Sequence, residues 1–209
     1  MTTTLFTNAH IATGEPGSTA ASTLPLQDIL VTDGVFTAFG PGLAQQYEAQ
    51  GGDLAAIEVV DLGGKLVYPP FCDTHLHLDY VFTARKPGAV NESGTLFEGI
   101  QRWSETKSDL TVDEIKQRAK IGIKKEMLHG VRLIRSHADV TDPNLTSLKA
   151  LLELKEELKD TVTLQIVSFP QEGMYSYEGP HGESGAELVE EGLKMTRPGE
   201  FTVQAKSIE

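Results

Sequence analysis

The segment PPFCDTHLHLDY, residues 69–80, carries two histidines one residue apart at the end of an apolar run. Side chains along a β-strand repeat their direction every second residue, so His75 and His77 share one side of the chain. Two neutral imidazoles so placed suit one divalent ion, zinc or ferrous iron. The same pair would also serve as ordinary polar residues of a strand-end loop. Two donors leave a catalytic set unfinished, because such sites use about three protein ligands and a water. His137 closes the run VRLIRSHADV and has the same address after a strand. It either lines the site or is a hydrogen-bonded core residue. Asp139, two residues on, is an acceptor behind the metal ligands or a helix-entry residue. Gln171 follows the run VTLQIVSFP, 162–170, at the corresponding end.

The other candidates are plainer. His129 precedes Gly130 at a helix end, where positive charge is favoured, and His10 reads as a strand surface residue. His181-Gly182-Glu183 has the H-x-E opening of the zinc nucleoside deaminases, but that signature also requires P-C-x-x-C. The single cysteine lies upstream, so the HGE reads as a polar loop. Cys72 itself reads as a small core residue of a strand.

These residues need a scaffold that brings strand ends together. Residues 28–40, DILVTDGVFTAFG, form a hairpin pattern about Asp33-Gly34, and IEVVDL is a further strand before Gly63-Gly64. Residues 42–56, GLAQQYEAQGGDLAA, make a surface loop or a helical turn. From Lys65 the grammar changes. LVYPPFC (66–72) is a buried-type strand that its two prolines must bend or end. A loop over 78–94 leads to a helix over 95–107. Thr111 and Glu114 make a capping-box pattern for a second helix ending near Gly130, with Ile115, Ala119, Ile123 and Met127 as its apolar stripe. After the strand 131–140, Asp142-Pro143 provides an N-cap and first-turn proline. Its helix presents Leu145, Leu148, Leu152 and Leu158. A strand at 162–170 and a helix at 184–195 complete the order β-α-α-β-α-β-α, which implies a parallel sheet with right-handed crossovers. In such sheets ligands gather at the carboxyl ends of the strands.

Composition narrows the partners. Eighteen basic against thirty acidic side chains give a net charge of −12, which repels nucleic-acid phosphates. No apolar run approaches the roughly 18 residues that span a bilayer, and the start MTTTLFTNAH lacks the pattern of a signal peptide. With one cysteine, a reducing cytoplasm is the expected compartment.

LVYPPFCDTHLHLDY, NESGTLFEGIQRW, LTSLKALLELKEEL and LQIVSFPQEGMYSY together resemble the bacterial cytosine deaminases of the amidohydrolase superfamily. The resemblance runs from about residue 1 to residue 195 and is densest over 66–178. It implies an α/β fold: the first three or so βα units of a (β/α)8 metal-dependent-hydrolase barrel over 66–195, preceded by a β-sandwich segment over 1–65. Residues 196–209 form a tail without a match. It further implies His75 and His77 as ligands of one divalent metal, Fe(II) or Zn(II), and Gln171 and Leu96 as contacts of a nucleobase. The implied reaction is hydrolytic deamination of cytosine to uracil in pyrimidine salvage, with water made acidic by the metal. Isoguanine, creatinine or an aminotriazine are sibling substrates on the same scaffold, and a non-enzymatic remnant is a further alternative. The full-length family form would be a homo-oligomer. The family's later histidine, aspartate and catalytic glutamate have no counterpart, so the chain reads as truncated. The expectation is that the purified, metal-loaded chain releases no ammonia from cytosine; detectable release overturns it.

Overall fold

The computed structural model describes residues 2–12, 24–195 and the backbone of 201–203. The chain divides into two compact units between Pro69 and Pro70.

The first unit is a five-stranded sheet. β1 (Thr3–Ile11), β2 (Leu26–Thr32), β3 (Val35–Gly40), β4 (Glu58–Asp61) and β5 (Leu66–Val67) make it up, with β1 at the centre. β2 and β3 form the expected hairpin, with Asp33 and Gly34 both at positive φ. Between them and β4, residues 43–49 form a short helix, α1. Residues 66–72, expected as one buried strand, are instead two pieces. Leu66 and Val67 pair with His10 and Ile11 of the first unit. The prolines that follow lack ladder donors, and a new strand starts only at Phe71.

The second unit is a parallel sheet with helices on one face. Its order is β6 (Phe71–Leu76), β7 (Val131–Asp139), β8 (Thr163–Phe169) and β9 (Phe201–Val203). Two helices follow β6, α2 (Leu96–Lys107) and α3 (Val112–Leu128), and one each follows β7 and β8, α4 (Thr146–Glu157) and α5 (Gly185–Lys194). Each βα step is the crossover unit of a (β/α) barrel, a connection that is right-handed as a rule. Among the described residues the sheet is open, with β6 and β9 at its edges. β9 is a fourth barrel strand inside the tail expected to lack a match; the rest of 196–209 lies outside the described residues.

Local chemistry explains the helix limits. The capping box of α3 is complete: Thr111 Oγ1 accepts from Glu114 N at 3.2 Å, and Glu114 Oε2 accepts from Thr111 N at 3.2 Å. Ser184 and Glu187 repeat the motif on α5. The start of α4 differs from expectation. Asp142 accepts from the amides of Asn144 and Thr146, so it caps from one turn upstream, and Pro143 lies outside the helix. Leu145 precedes the helix in left-handed conformation at φ 50°, which sets its side chain in the core.

That core lies between helices and sheet: Ile115, Ala119 and Ile123 of α3, Leu148, Leu151 and Leu154 of α4, Ile134, Leu164 and Ile166 of the strands. The inward leucines of α4 are therefore 148, 151 and 154, while Leu152 and Leu158 are half-buried. Cys72 is exposed, not a core residue. It pairs on edge strand β6 with Leu133, itself exposed, on a sheet face that no described helix covers. Replacing fully buried Leu151 by Ala should cost about 2–5 kcal/mol, read as a lower urea midpoint; a loss under 1 kcal/mol would place it outside the core.

Candidate metal and ring-recognition site

Because β6, β7 and β8 run parallel, their carboxyl ends present His75 and His77, His137 and Asp139, and Phe169 and Gln171 at one end of the sheet. The histidines meet as rings. His75 stacks on His137 with centroids 4.0 Å apart, and His75 and His77 lie edge-on at 5.3 Å. Phe169 meets His77 and His137 edge-on, and Tyr80 stacks on His77 at 4.5 Å.

His77 is held in one tautomer. Its Nδ1 lies 3.1 Å from the backbone carbonyl of His137; a carbonyl only accepts, so Nδ1 carries the proton and donates. Nε2 is left with a lone pair, the usual preparation of a metal-binding imidazole. Burial, and then the neighbouring His137 and His75, push the His77 pKa down to about 4, so the ring is neutral at pH 7. The donor set therefore suits zinc or ferrous iron, and rings 5.3 Å apart can share one ion at metal–nitrogen distances of about 2.0–2.1 Å. Among the described residues no group of three His, Cys, Asp or Glu is arranged to hold a metal. The histidine pair alone offers two of the about three protein ligands that such a site uses.

Asp139 is the hydrogen-bonded hub of these strand ends. It is almost completely buried, and its carboxylate accepts five hydrogen bonds: from Trp103 Nε1 (2.7 Å), Lys107 Nζ (3.0 Å), Thr141 N (2.8 Å), Thr141 Oγ1 (2.6 Å) and Gln171 N (3.3 Å). Its own amide donates to Asp79 Oδ2 at 2.8 Å. One residue thereby ties the ends of three strands to α2. Buried Asp79 has its pKa raised to about 7, mainly by desolvation. Burial, with Asp79 and Asp139 nearby, pushes the Tyr80 phenol upward as well.

Gln171 is buried at the end of β8. The next residues turn sharply: Gly173 N donates to Pro170 O at 2.9 Å, and Gly173 has φ 99°, where a side chain would be strained. Leu96 is placed differently. It opens α2 with its side chain 65% exposed, and α2 reaches the cluster instead through Trp103 and Lys107. The stretch NESGTLFEG is a capped loop in front of that helix. Thr95 caps α2, and Glu98 accepts from the amides of Glu92 and Ser93, contacts led by Ser93 that hold its carboxyl down to about 2. His181 and Glu183 sit in an exposed turn, where Glu183 accepts from the His181 amide.

Trp103, Lys107, Asp79 and Glu172 were not expected from sequence. The available signal was the Trp–Lys spacing of four on one helix, which puts an indole N–H and an ammonium on the same face.

The parallel βα order is that of part of a (β/α) barrel, and sequence comparison gives its family. The amidohydrolase family model matches residues 58–205; the chain belongs to the amidohydrolase family. It is 35% identical over 120 residues to N-isopropylammelide isopropyl amidohydrolase of Pseudomonas sp. (strain ADP), covering 56% of this chain and 30% of that protein. Pterin deaminase of Rhizobium rhizogenes is 27% identical over 152 residues, covering 70% and 32%. Among solved structures, 5-methylcytosine deaminase from Klebsiella pneumoniae liganded with 5-fluorocytosine superposes with a TM-score of 0.76 at 37% identity, over 96% of this chain and 43% of that one. The chain spans less than half the length of each of these relatives. No described helix is long and apolar enough to cross a membrane.

Two measurements test this site. Asp139→Asn sets an NH2 among donors and leaves Lys107 only the Glu172 carboxylate, and should cost about 3–5 kcal/mol in denaturant unfolding; a loss below 1 kcal/mol contradicts the hub. For His77 the folded pKa, about 4, lies below the unfolded value near 6.5. The unfolded state then binds more protons between those values, so stability is full above pH 6.5 and falls as pH drops toward 4. In the metal-free chain His77→Gln should flatten that slope; an unchanged slope contradicts the neutral assignment.

Proposed function

We propose that the chain carries the metal-binding and ring-recognising part of a hydrolytic deaminase site, with cytosine as substrate and uracil plus ammonia as products. The observation that carries this is the convergence of His75, His77 and Gln171 on the carboxyl ends of parallel strands tied together by Asp139. Membership of the amidohydrolase family supports hydrolysis of a C–N bond. The 37% identity to 5-methylcytosine deaminase supports a pyrimidine ring.

His75 and His77 would hold the metal, iron or zinc, which when bound acidifies water and polarises the reacting carbon. The chain's own residues supply the rest. The His137 carbonyl fixes the His77 ring so that Nε2 faces outward as a base. Gln171 offers both a donor and an acceptor, the pair needed by a ring edge that presents N–H and C=O together. Its burial lets those bonds form away from competing water, where a missing partner is costly. Phe169 and Tyr80 pack against the His77 imidazole and limit water around it. Leu96 would contribute through its backbone carbonyl.

A second reading is favoured by the 35% identity to N-isopropylammelide isopropyl amidohydrolase: release of an alkylamine from N-isopropylammelide, with the same residues in the same roles. Titration of the zinc-loaded chain with cytosine and with N-isopropylammelide, followed by the NMR signal of the Gln171 side-chain amide, separates them. Cytosine should shift that signal and bind more tightly, and Gln171→Ala should weaken it by about tenfold or more. Tighter binding of N-isopropylammelide would favour the second reading; a silent Gln171 with both compounds would overturn both.

A further inference from the structure

We infer that Lys107 is the positioning residue that holds Gln171 in register with the site and so sets which ring is accepted; this rests on the reading of Gln171 above. Lys107 sits in the last turn of α2 with its side chain 10% exposed. Its ammonium donates to Asp139 Oδ2 at 3.0 Å, to Thr141 Oγ1 at 2.8 Å and to the Glu172 carboxylate. The Tyr177 ring lies over it at 5.5 Å. Lys107 therefore bridges two carboxylates that would otherwise face one another across a partly dry gap.

Those two carboxylates flank Gln171. Asp139 accepts from its backbone N–H. Glu172, the next residue, is anchored by Lys107 and by Ser104 Oγ at 3.1 Å, while its carbonyl accepts from Ser176 Oγ at 2.6 Å. Gln171 is thus clamped at its amide and at its neighbour, and the amide group of its own side chain enters none of these clamp bonds. Ser104 and Lys107 belong to the helix that Leu96 opens, so one ion triad fixes the two elements assigned to the ring relative to each other.

The two ends of the bridge differ in freedom. The Asp139 side chain is 1% exposed and cannot leave, whereas that of Glu172 is 25% exposed. Without the ammonium, repulsion drives Glu172 outward and carries Gln171 with it. The consequence is local: Gln171 loses its place while the α3–α4 core stays packed.

The test uses the full chain carrying Lys107→Met, Lys107→Arg or Glu172→Gln, with backbone amide exchange and binding of cytosine and N-isopropylammelide as readouts. Lys107→Met should speed exchange at Gln171 at least about tenfold beyond any rise at Leu151 and Leu154, and narrow the preference between the two rings by about tenfold. Lys107→Arg should keep most of both, and Glu172→Gln should reproduce part of the loss in a chain of normal stability. Unchanged exchange at Gln171 in Lys107→Met and in Glu172→Gln overturns the inference. So does a uniform rise in exchange across α4, which would make Lys107 merely structural. If the wild-type chain binds neither compound, the substrate reading falls and takes the selectivity claim with it, while exchange at Gln171 still decides whether Lys107 places that residue.

Discussion

A buried carboxylate must be compensated by donors, or its burial opposes folding. Asp139 meets that demand by drawing on every element around the site. The indole of Trp103 and the ammonium of Lys107 come from α2, the hydroxyl and amide of Thr141 from the chain after β7, and the amide of Gln171 from the end of β8. Its own N–H satisfies Asp79, just past β6. A parallel sheet alone would align strand ends only to within the tolerance of loops. The need to satisfy one charge sets them more closely, and the histidine rings meet in a frame fixed by that need.

The ring contacts follow. With β6 and β7 in register, the His137 carbonyl comes within reach of His77 Nδ1, and the ring is left neutral with Nε2 available. Burial that keeps His77 unprotonated also raises Asp79, so neighbouring groups on one loop shift in opposite senses from their ordinary values. Both shifts reduce charge at the buried end of β6.

Much of this was legible in the sequence because it is written in local patterns. The HxH spacing, the Asp33-Gly34 hairpin, the Thr111–Glu114 capping box and the β-α order, which the structure starts at Phe71 rather than at residue 66, each depend on residues close in the chain. What was not legible depends on distant pairs. Asp139 looked like a helix-entry residue or an acceptor behind a ligand, because nothing nearby reveals that Trp103 and Lys107 fold back onto it. Cys72 looked buried because its strand is apolar; exposure came from the open sheet face, a property of topology. Asp142-Pro143 carried the usual start signal, but burial of Leu145 moved the helix start onward. In each case tertiary packing overrode a local preference.

The central claim is that strand ends locked by Asp139 place His75 and His77 to share one metal beside Gln171. Crystals of the chain grown with zinc and cytosine, measured at the zinc absorption edge, test it most directly. The account predicts a single anomalous peak between the His75 and His77 rings, with the cytosine edge hydrogen-bonded to the Gln171 amide. A peak on other residues, or cytosine bound away from Gln171 while the histidines hold zinc, would contradict it.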